Sequence, residues 1–130
     1  MTSVSFVIPV FNKEKYLRFV LDSLKNQKGT FQREFIFVND GSTDNSLLLL
    51  RSQTKNWKNT KIINQKNKGS ASATNVGIKL AKNKYIKFLD ADDLILYDAT
   101  DSLLKIIERS EQINLVYGLQ RKVNEPKRRR

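Results

Sequence analysis

Three carboxylates stand close together directly after a short apolar segment of the chain. Residues 85–89 are followed by Asp90, Asp92 and Asp93. Carboxylates this close repel one another, so leaving them unpaired costs stability. Mg²⁺ and Mn²⁺ prefer oxygen ligands and often share them with the phosphates of a substrate. Capping of a following helix would need one aspartate and not three, so the cluster predicts a metal–phosphate site.

Two further polar clusters also follow apolar segments. Asp40 begins an Asp-Gly-Ser turn after residues 34–38, and Phe11 follows residues 5–10. The Asp40 carboxylate can accept a hydrogen bond from the ring N–H of uracil, thymine or guanine, although Asp-Gly is also a common turn dipeptide. Phe11 can stack on a base or belong to the core. Asp90 can bind ribose hydroxyls, as acidic residues do in nucleotide-binding folds.

Segments of strand length alternate with segments of helical periodicity along the chain. Short β-branched runs are typical of buried strands, and apolar residues three and four positions apart are typical of helices. We expect strands over 5–10, 34–38, 61–64, 85–89 and 113–117. We expect one helix capped by Asn12 and reaching Gly29, one capped by Thr43 or Asp44 and reaching toward Trp57, and two more over 71–81 and 97–109.

This alternation predicts an α/β fold with a parallel, doubly wound sheet. Each helix connects two parallel strands by a right-handed crossover, so helices cover both faces of the sheet. In such sheets ligands bind outside the carboxyl ends of the strands. All three polar clusters fall at such ends, and we therefore expect them to meet at one edge of the sheet.

The composition fits one globular domain, with 39% apolar and 28% charged residues among 130. We expect this domain to span residues 1–120 and a basic tail to span 121–130. The chain has no cysteine and no histidine, which excludes disulfides, thiolate metal sites and the commonest general base. It also has no membrane-spanning apolar stretch and no signal sequence, so the expected location is the cytoplasm.

The net charge of +11 is unevenly distributed, because residues 45–89 contain no acidic side chain. Such a field attracts a polyanion, namely nucleic acid, an anionic membrane surface or a phosphorylated substrate. The alternative is a solvated, lysine-rich surface. Nucleic acid ranks lowest, because no recognised binding motif is present and few aromatic residues beyond Trp57 and Tyr85 accompany the charges. The basic tail suits peripheral contact with the inner face of a membrane.

Small residues dominate the segment 69–77, where we expect a helix to begin. Small side chains permit close backbone approach, and the free N–H groups at a helix start favour anions. Tight packing of the helix on the sheet explains the same composition. The segment lacks the glycine patterns of a Walker A loop and of a dinucleotide fingerprint.

Taken in order, these segments resemble the family 2 glycosyltransferases, which move a sugar from a nucleotide diphosphate donor. The matching segments are 7–14 with Leu17, 37–44, 67–69 with 73–77, and 88–93. Each motif alone is weak, but their order and spacing together are specific. The resemblance implies a Rossmann-like, three-layer α/β/α domain of the GT-A type with a mostly parallel sheet. It also implies a nucleotide-sugar donor, most often a UDP-sugar.

The resemblance also assigns roles to individual side chains. An acceptor hydroxyl is expected to attack the anomeric carbon with inversion, and a metal is expected to offset charge on the leaving diphosphate. The expected metal ligand for Mn²⁺ or Mg²⁺ is Asp92, supported by Asp93. The expected donor contacts are Pro9, Phe11 and Glu14 in the nucleotide pocket, Asp40 at the base and Asp90 on the ribose side.

The chain departs from the family pattern in two respects. The family often carries Arg at the position of Thr74, so we expect Lys68 or another lysine of the basic stretch to supply that charge near the diphosphate, as a point charge and not as a bidentate fork. Few residues follow Asp93, whereas family members carry further elements that bind the acceptor and supply the carboxylate base. No general base is identifiable from the sequence. We therefore expect the donor-binding part of an enzyme, either truncated or completed by a partner chain, that acts on a glycan or lipid-linked acceptor; a non-catalytic nucleotide-sugar-binding domain is the alternative.

Overall fold

The computed structural model describes residues 2–122, which form one parallel sheet with helices on both faces. The strands are β1 (Ser3–Val10), β2 (Gln32–Asp40), β3 (Thr60–Gln65) and β4 (Tyr85–Phe88). The helices are α1 (Glu14–Lys25), α2 (Ser46–Gln53), α3 (Ser70–Leu80) and α4 (Ala99–Ile107). The strand order is β3-β2-β1-β4, and every pairing is parallel.

The inner strand β1 is apolar on both of its faces. Phe6, Val7 and Ile8 are completely buried, as expected of a strand inside a parallel sheet that helices cover on both sides. β1 pairs with β2 along its whole length and with β4 through residues 4–7. The carboxyl ends of β1, β2 and β4 therefore lie side by side, which brings the three polar clusters to one edge as predicted.

Helices α1 and α2 cover one face of the sheet. The buried side chains of α1 recur three and four positions apart, and they join Leu50 of α2 and Leu104 of α4 in one apolar core. This spacing puts them on a single stripe of the helix. Those buried side chains of α1 are Leu17, Val20, Leu21 and Leu24.

Helix α3 covers the opposite face and lies unusually close to it. Ala73 is fully buried against Ile36 and Val38. A Cβ atom on Gly77 would lie 2.3 Å from Cγ1 of Val7, so only glycine fits there. Close packing thus accounts for Ala73 and Gly77 of this segment. With helices on both faces, the three-layer α/β/α arrangement is confirmed, and the crossover changes face between α2 and α3.

The predicted fifth strand over residues 113–117 is wrong. No strand forms among residues 108–122, and the side chains of Leu115 and Tyr117 are 78% and 85% exposed. The β-branched and aromatic composition of this segment favours a strand, but that preference is realised only when a neighbouring strand pairs with the backbone. Within residues 2–122, β4 pairs on one side only, with β1.

Two helices end earlier than their apolar patterns predicted. α1 ends at Lys25 and not at Gly29, and α2 ends at Gln53. Trp57 lies beyond α2, where its ring packs 4.9 Å from that of Phe35 and 6.1 Å from that of Phe37. Trp57 is therefore partly buried against the core.

Most of the predicted basic tail is not among the described residues. Of residues 121–130, those from 123 onward lie outside the described residues. No helix in residues 2–122 is both long enough and apolar enough to cross a membrane.

Candidate functional site

A cleft of about 490 Å³ lies at the carboxyl edge of the sheet, where β1, β2 and β4 end and α3 begins. This is the switch point at which the strand order reverses, the position where doubly wound sheets bind their ligands. Five residues singled out in the sequence line the cleft: Pro9, Phe11, Asp40, Asp90 and Asp92.

The acidic cluster forms a turn at one end of the cleft. Carboxylate oxygens of Asp90, Asp92 and Asp93 all lie within 4.8 Å of one another, and all three residues are exposed. The turn closes with the Asp93 N–H donating to the Asp90 carbonyl at 3.1 Å. No helix starts here, since the next one begins at Ala99. Helix capping therefore does not explain the cluster.

Burial and the neighbouring carboxylates raise the pKa of one member of the cluster, Asp93. Partial burial raises the pKa of the Asp93 carboxyl, and the charges of Asp92 and Asp90 raise it further. Lys13 and Lys87 act in the opposite direction without cancelling the rise. Three hard oxygen donors whose negative charge is incompletely balanced suit a divalent cation such as Mg²⁺ or Mn²⁺. Asp92 faces the cleft, whereas Asp93 is not part of its lining.

The ammonium group of Lys13 lies against this cluster. Its Nζ is 3.1 Å from Oδ2 of Asp92, and the two side chains are 33% and 40% exposed. Lys13 also lines the cleft. The loop after β1 therefore brings a cation to the carboxylate that was predicted to ligate the metal.

Asp40 is buried at the floor of the cleft and holds the loop that precedes α3. The residue is only 2% exposed. Oδ1 accepts hydrogen bonds from Nε2 of Gln65 at 2.9 Å and from the N–H of Lys68 at 2.8 Å, and Oδ2 accepts from the N–H of Gly69 at 2.9 Å. Burial raises the pKa of the Asp40 carboxyl, but these three hydrogen bonds outweigh it and hold the pKa below its ordinary value.

Asn12 joins the loop after β1 to the loop after β2. The expectation that Asn12 caps α1 is wrong, because the residue that precedes the helix is Lys13 and no side chain caps it. Asn12 has a left-handed backbone, with φ of 50°. Its Oδ1 accepts the N–H of Thr43 at 2.7 Å and of Asp44 at 3.3 Å. These bonds fix the loop that carries Phe11 and Lys13 into the cleft.

The loop after β2 is organised by its own side chains and by Glu14. The expectation that Thr43 or Asp44 caps α2 is wrong, because the residue that precedes the helix is Asn45 and no side chain caps it. Asp44 lies one residue earlier, and its Oδ1 accepts the N–H of Ser46 at 2.9 Å. Glu14 points to this loop and not into the cleft: its Oε2 accepts the N–H of Asn45 at 3.0 Å. The expectation that Glu14 lines the pocket is therefore wrong in this structure.

Of two more predicted residues, Lys68 differs in position from what the sequence indicated, whereas Phe11 lies in the cleft where the resemblance put it. Lys68 contributes its backbone N–H to Asp40, but its side chain is exposed and is not part of the cleft lining. Phe11 is 44% exposed within the cleft, so it is a surface aromatic and not a core residue.

Sequence reasoning gave no role to about a third of the lining. Lys13 stood two residues after the predicted Phe11, and Asn67 stood two residues before Gly69, which opens the segment expected to favour anions, so proximity in sequence was the available signal. Helix α3 points its N-terminus at the cleft through Gly69, which has φ of 99°. The lining residues that had no expected role are Val10, Lys13, Asn67 and Ala91.

Comparison of the sequence with known proteins identifies a matching family. The profile of Glycosyl transferase family 2 matches residues 5–130. A chondroitin synthase of Pasteurella multocida is 36% identical over 121 residues, which are 93% of this chain and 12% of that protein. The chain thus spans a small part of this relative.

Solved structures agree in fold. TarS of S. aureus (residues 1–349), solved in complex with UDP, superposes with a TM-score of 0.73 at 30% identity over 83% of this chain and 32% of that one. A mannosyltransferase of Pyrobaculum calidifontis, solved with GDP-Man and Mn²⁺, reaches 0.73 at 21% identity over 78% of this chain and 31% of that one. The second likeness supports the GT-A type fold alone. With the profile matching residues 5–130, the chain belongs to glycosyl transferase family 2.

Proposed function

We propose that this chain is the donor-binding part of a glycosyltransferase that takes its sugar from a nucleotide diphosphate, most often a UDP-sugar. The observation that carries the proposal is the convergence of Asp40, Asp90 and Asp92 on one cleft at the carboxyl edge of the sheet. The buried Asp40 carboxylate, which accepts hydrogen bonds, the exposed ring of Phe11 and the acidic turn then lie along a single groove. A nucleoside diphosphate presents the complementary groups in the same order.

The nucleoside end of the donor fits the side of the cleft formed by β1 and β2. Phe11 offers an exposed ring against which a base can stack, beside Pro9. An ionised carboxylate has about four lone-pair sites, and Asp40 uses three of them within the protein. The remaining site, on Oδ2, is available to accept the ring N–H of uracil. Asp90, at the end of the sheet near β4, is placed for the ribose hydroxyls.

The diphosphate end fits the acidic turn through a divalent cation. Asp92, supported by Asp93, would hold Mn²⁺ or Mg²⁺, since carboxylate oxygens are the ligands that these ions prefer. When bound, the ion would offset the charge that develops on the nucleotide diphosphate as it leaves. The protein supplies the orientation: the turn at Asp90 and Asp93 points the Asp92 carboxylate into the cleft.

The acceptor is a glycan or a lipid-linked molecule in this proposal, and the transfer inverts the anomeric carbon. Inversion needs a base for the attacking hydroxyl. Of the carboxylates after the acidic turn, Asp101 pairs with Lys105 at 3.1 Å, Thr2 donates to Glu108, and neither Asp98 nor Glu111 lines the cleft. Glu125 lies outside the described residues. The base therefore comes from polypeptide other than residues 2–122, in the same enzyme or in a partner chain.

The location that suits this activity is the cytoplasm, where nucleotide sugars serve as donors. An excess of basic side chains would favour contact with an anionic membrane that carries a lipid-linked acceptor. Binding to phosphatidylserine vesicles that disappears at high salt would support this part of the proposal, and equal binding to neutral vesicles would count against it.

Isothermal titration calorimetry with UDP and Mn²⁺ tests the proposed function. Asp92→Asn removes the carboxylate that faces the cleft, so we expect UDP affinity in the presence of Mn²⁺ to fall at least tenfold, about 1.4 kcal/mol. The matched control is Asp98→Asn, which removes the same charge from an exposed position outside the cleft. The control should bind like the wild type. Absence of UDP, dTDP and GDP binding to the wild type with Mn²⁺ would refute the proposal.

A further inference from the structure

The contact between Lys13 and Asp92 joins the cation of one loop to the carboxylate of another. Lys13 Nζ lies 3.1 Å from Asp92 Oδ2, and each side chain keeps at least a third of its surface in solvent. Ion pairs this exposed contribute little to stability, because water and salt screen them. The pair is therefore easily separated by a competing cation.

The backbone of Lys13 is fixed, so that only its side chain is free to change partner. Its N–H donates to Oγ of Ser46 at 2.8 Å, and its carbonyl accepts the N–H groups of Tyr16 and Leu17 at 3.0 and 2.9 Å. The four-carbon stem that carries the ammonium is flexible. A side chain released from Asp92 remains in the cleft, since Lys13 belongs to its lining.

Lys13 is the only cationic side chain in the cleft lining that the described part of the chain provides. Thr74 is uncharged, and the Lys68 side chain is exposed and is not part of the lining. A negatively charged diphosphate held between the acidic turn and the start of α3 at Ser70 would meet Lys13 and no other lysine of the lining.

We propose that Lys13 is an exchangeable counter-ion, which occupies Asp92 in the empty cleft and moves to the donor diphosphate when a divalent cation takes that carboxylate. The inference rests on the proposed function. Two cations at one carboxylate repel each other, so the metal and the ammonium compete for Asp92. The diphosphate removes the competition by giving the ammonium a second partner. Metal and donor thereby favour each other's binding.

Lys13→Met tests both roles of Lys13, as the counter-ion of Asp92 and as the partner of the diphosphate. The substitution removes the charge and keeps an unbranched side chain. Two titrations are compared by calorimetry: Mn²⁺ alone, and UDP at saturating Mn²⁺. We expect Lys13→Met to bind Mn²⁺ alone about threefold more tightly, because no ammonium must be displaced. We expect it to bind UDP about fivefold or more weakly, because the diphosphate loses its lysine. A simple loss of folding would weaken both.

Lys66→Met is the matched control, since it makes the same change in net charge at an exposed residue outside the cleft. We expect it to change neither affinity by more than about twofold. Mn²⁺ affinity that is unchanged or lower in Lys13→Met would overturn the counter-ion role, and unchanged UDP affinity would overturn the move to the diphosphate. If the wild type binds Mn²⁺ but no UDP, the proposed function fails and the second role fails with it, whereas the metal titration still decides the first.

Discussion

Asp40 serves two purposes at the scale of a single residue. Its buried carboxylate gathers Gln65 and the N–H groups of Lys68 and Gly69, and its carbonyl accepts Nδ2 of Asn67 at 3.1 Å. Turn formation was the alternative reading of its Asp-Gly dipeptide, and Asp40 does hold a loop. The loop that it holds is the one after β3. The same residue lines the cleft, so the carboxylate that holds this loop is also the one proposed to contact the base.

Replacing Asp40 by asparagine should weaken the fold measurably. The amide presents one acceptor oxygen and an NH₂ group, so at least one of the three donors now faces another donor. Hydrogen bonds to charged groups are worth about 1.5–3 kcal/mol, and we expect a loss of about 2 kcal/mol in the free energy of unfolding. Urea denaturation at pH 7 measures it. Asp98→Asn is the control, because the Asp98 side chain makes no capping hydrogen bond.

The acidity of Asp40 sets the pH dependence of this loss. Its pKa is lower in the folded protein than in the unfolded chain, so ionisation favours folding. That contribution is complete above the unfolded-state pKa of about 4 and is lost as the pH falls through the folded-state pKa. The stability difference between the wild type and Asp40→Asn should be constant near neutrality and shrink below about pH 4. A difference that grows on acidification would contradict this assignment.

At the scale of elements, the contact between α3 and β1 determines where the cleft wall stands. Gly77 lets the helix approach until a Cβ would lie 2.3 Å from Cγ1 of Val7. About two turns toward the N-terminus of the same helix, Gly69 and Ser70 form part of the cleft. Packing in the middle of α3 thus fixes the position of its N-terminus. A glycine far from any ligand contributes to the site through the rigidity of the helix.

Gly77→Ala should therefore destabilise the protein, although alanine is the better helix former. The new methyl group overlaps the Val7 side chain, and overpacking of this kind costs about 1–3 kcal/mol. Denaturant unfolding measures the loss. Gly118→Ala is the matched control, because nothing lies within 4 Å of the added Cβ, and we expect a change within about 0.5 kcal/mol. Combining Gly77→Ala with Val7→Ala should recover part of the loss, and strictly additive losses would show that the two sites do not couple.

The sequence predicted the elements and the edge at which they meet, but not the paths of the loops. Asp40, Asp90 and Phe11 were found because each lies at or just after the carboxyl end of a strand, and strand direction decides where those ends go. Glu14 was misplaced because the first turn of α1 directs it to a neighbouring loop. The segment 113–117 was wrong because strand formation depends on a pairing partner, which local composition does not reveal.

At the scale of the whole molecule, the described residues form one parallel sheet with helices on both faces and an uncovered flank. β4 is an edge strand, and its residues Ile86 and Phe88 are 36% and 50% exposed. Leu94 and Leu96, which follow in the chain, are 56% and 74% exposed. Exposed apolar patches next to a free sheet edge are typical of surfaces that another polypeptide covers. The chondroitin synthase relative is far longer than this chain. We expect the part of the enzyme that binds the acceptor to cover this flank.

The chain by itself should then bind its donor without transferring the sugar. No carboxylate of residues 2–122 lines the cleft apart from the three assigned to the donor and the metal, so an acceptor hydroxyl finds no base. A panel of UDP- and GDP-sugars with Mn²⁺ and oligosaccharide acceptors, followed by detection of released nucleotide, measures this directly. We expect release at the level of Mn²⁺ alone, while calorimetry on the same preparation shows binding that Asp92→Asn weakens. Acceptor-dependent release above that level would mean that the described half carries its own base, and Asp90→Asn would then identify whether a cleft carboxylate supplies it.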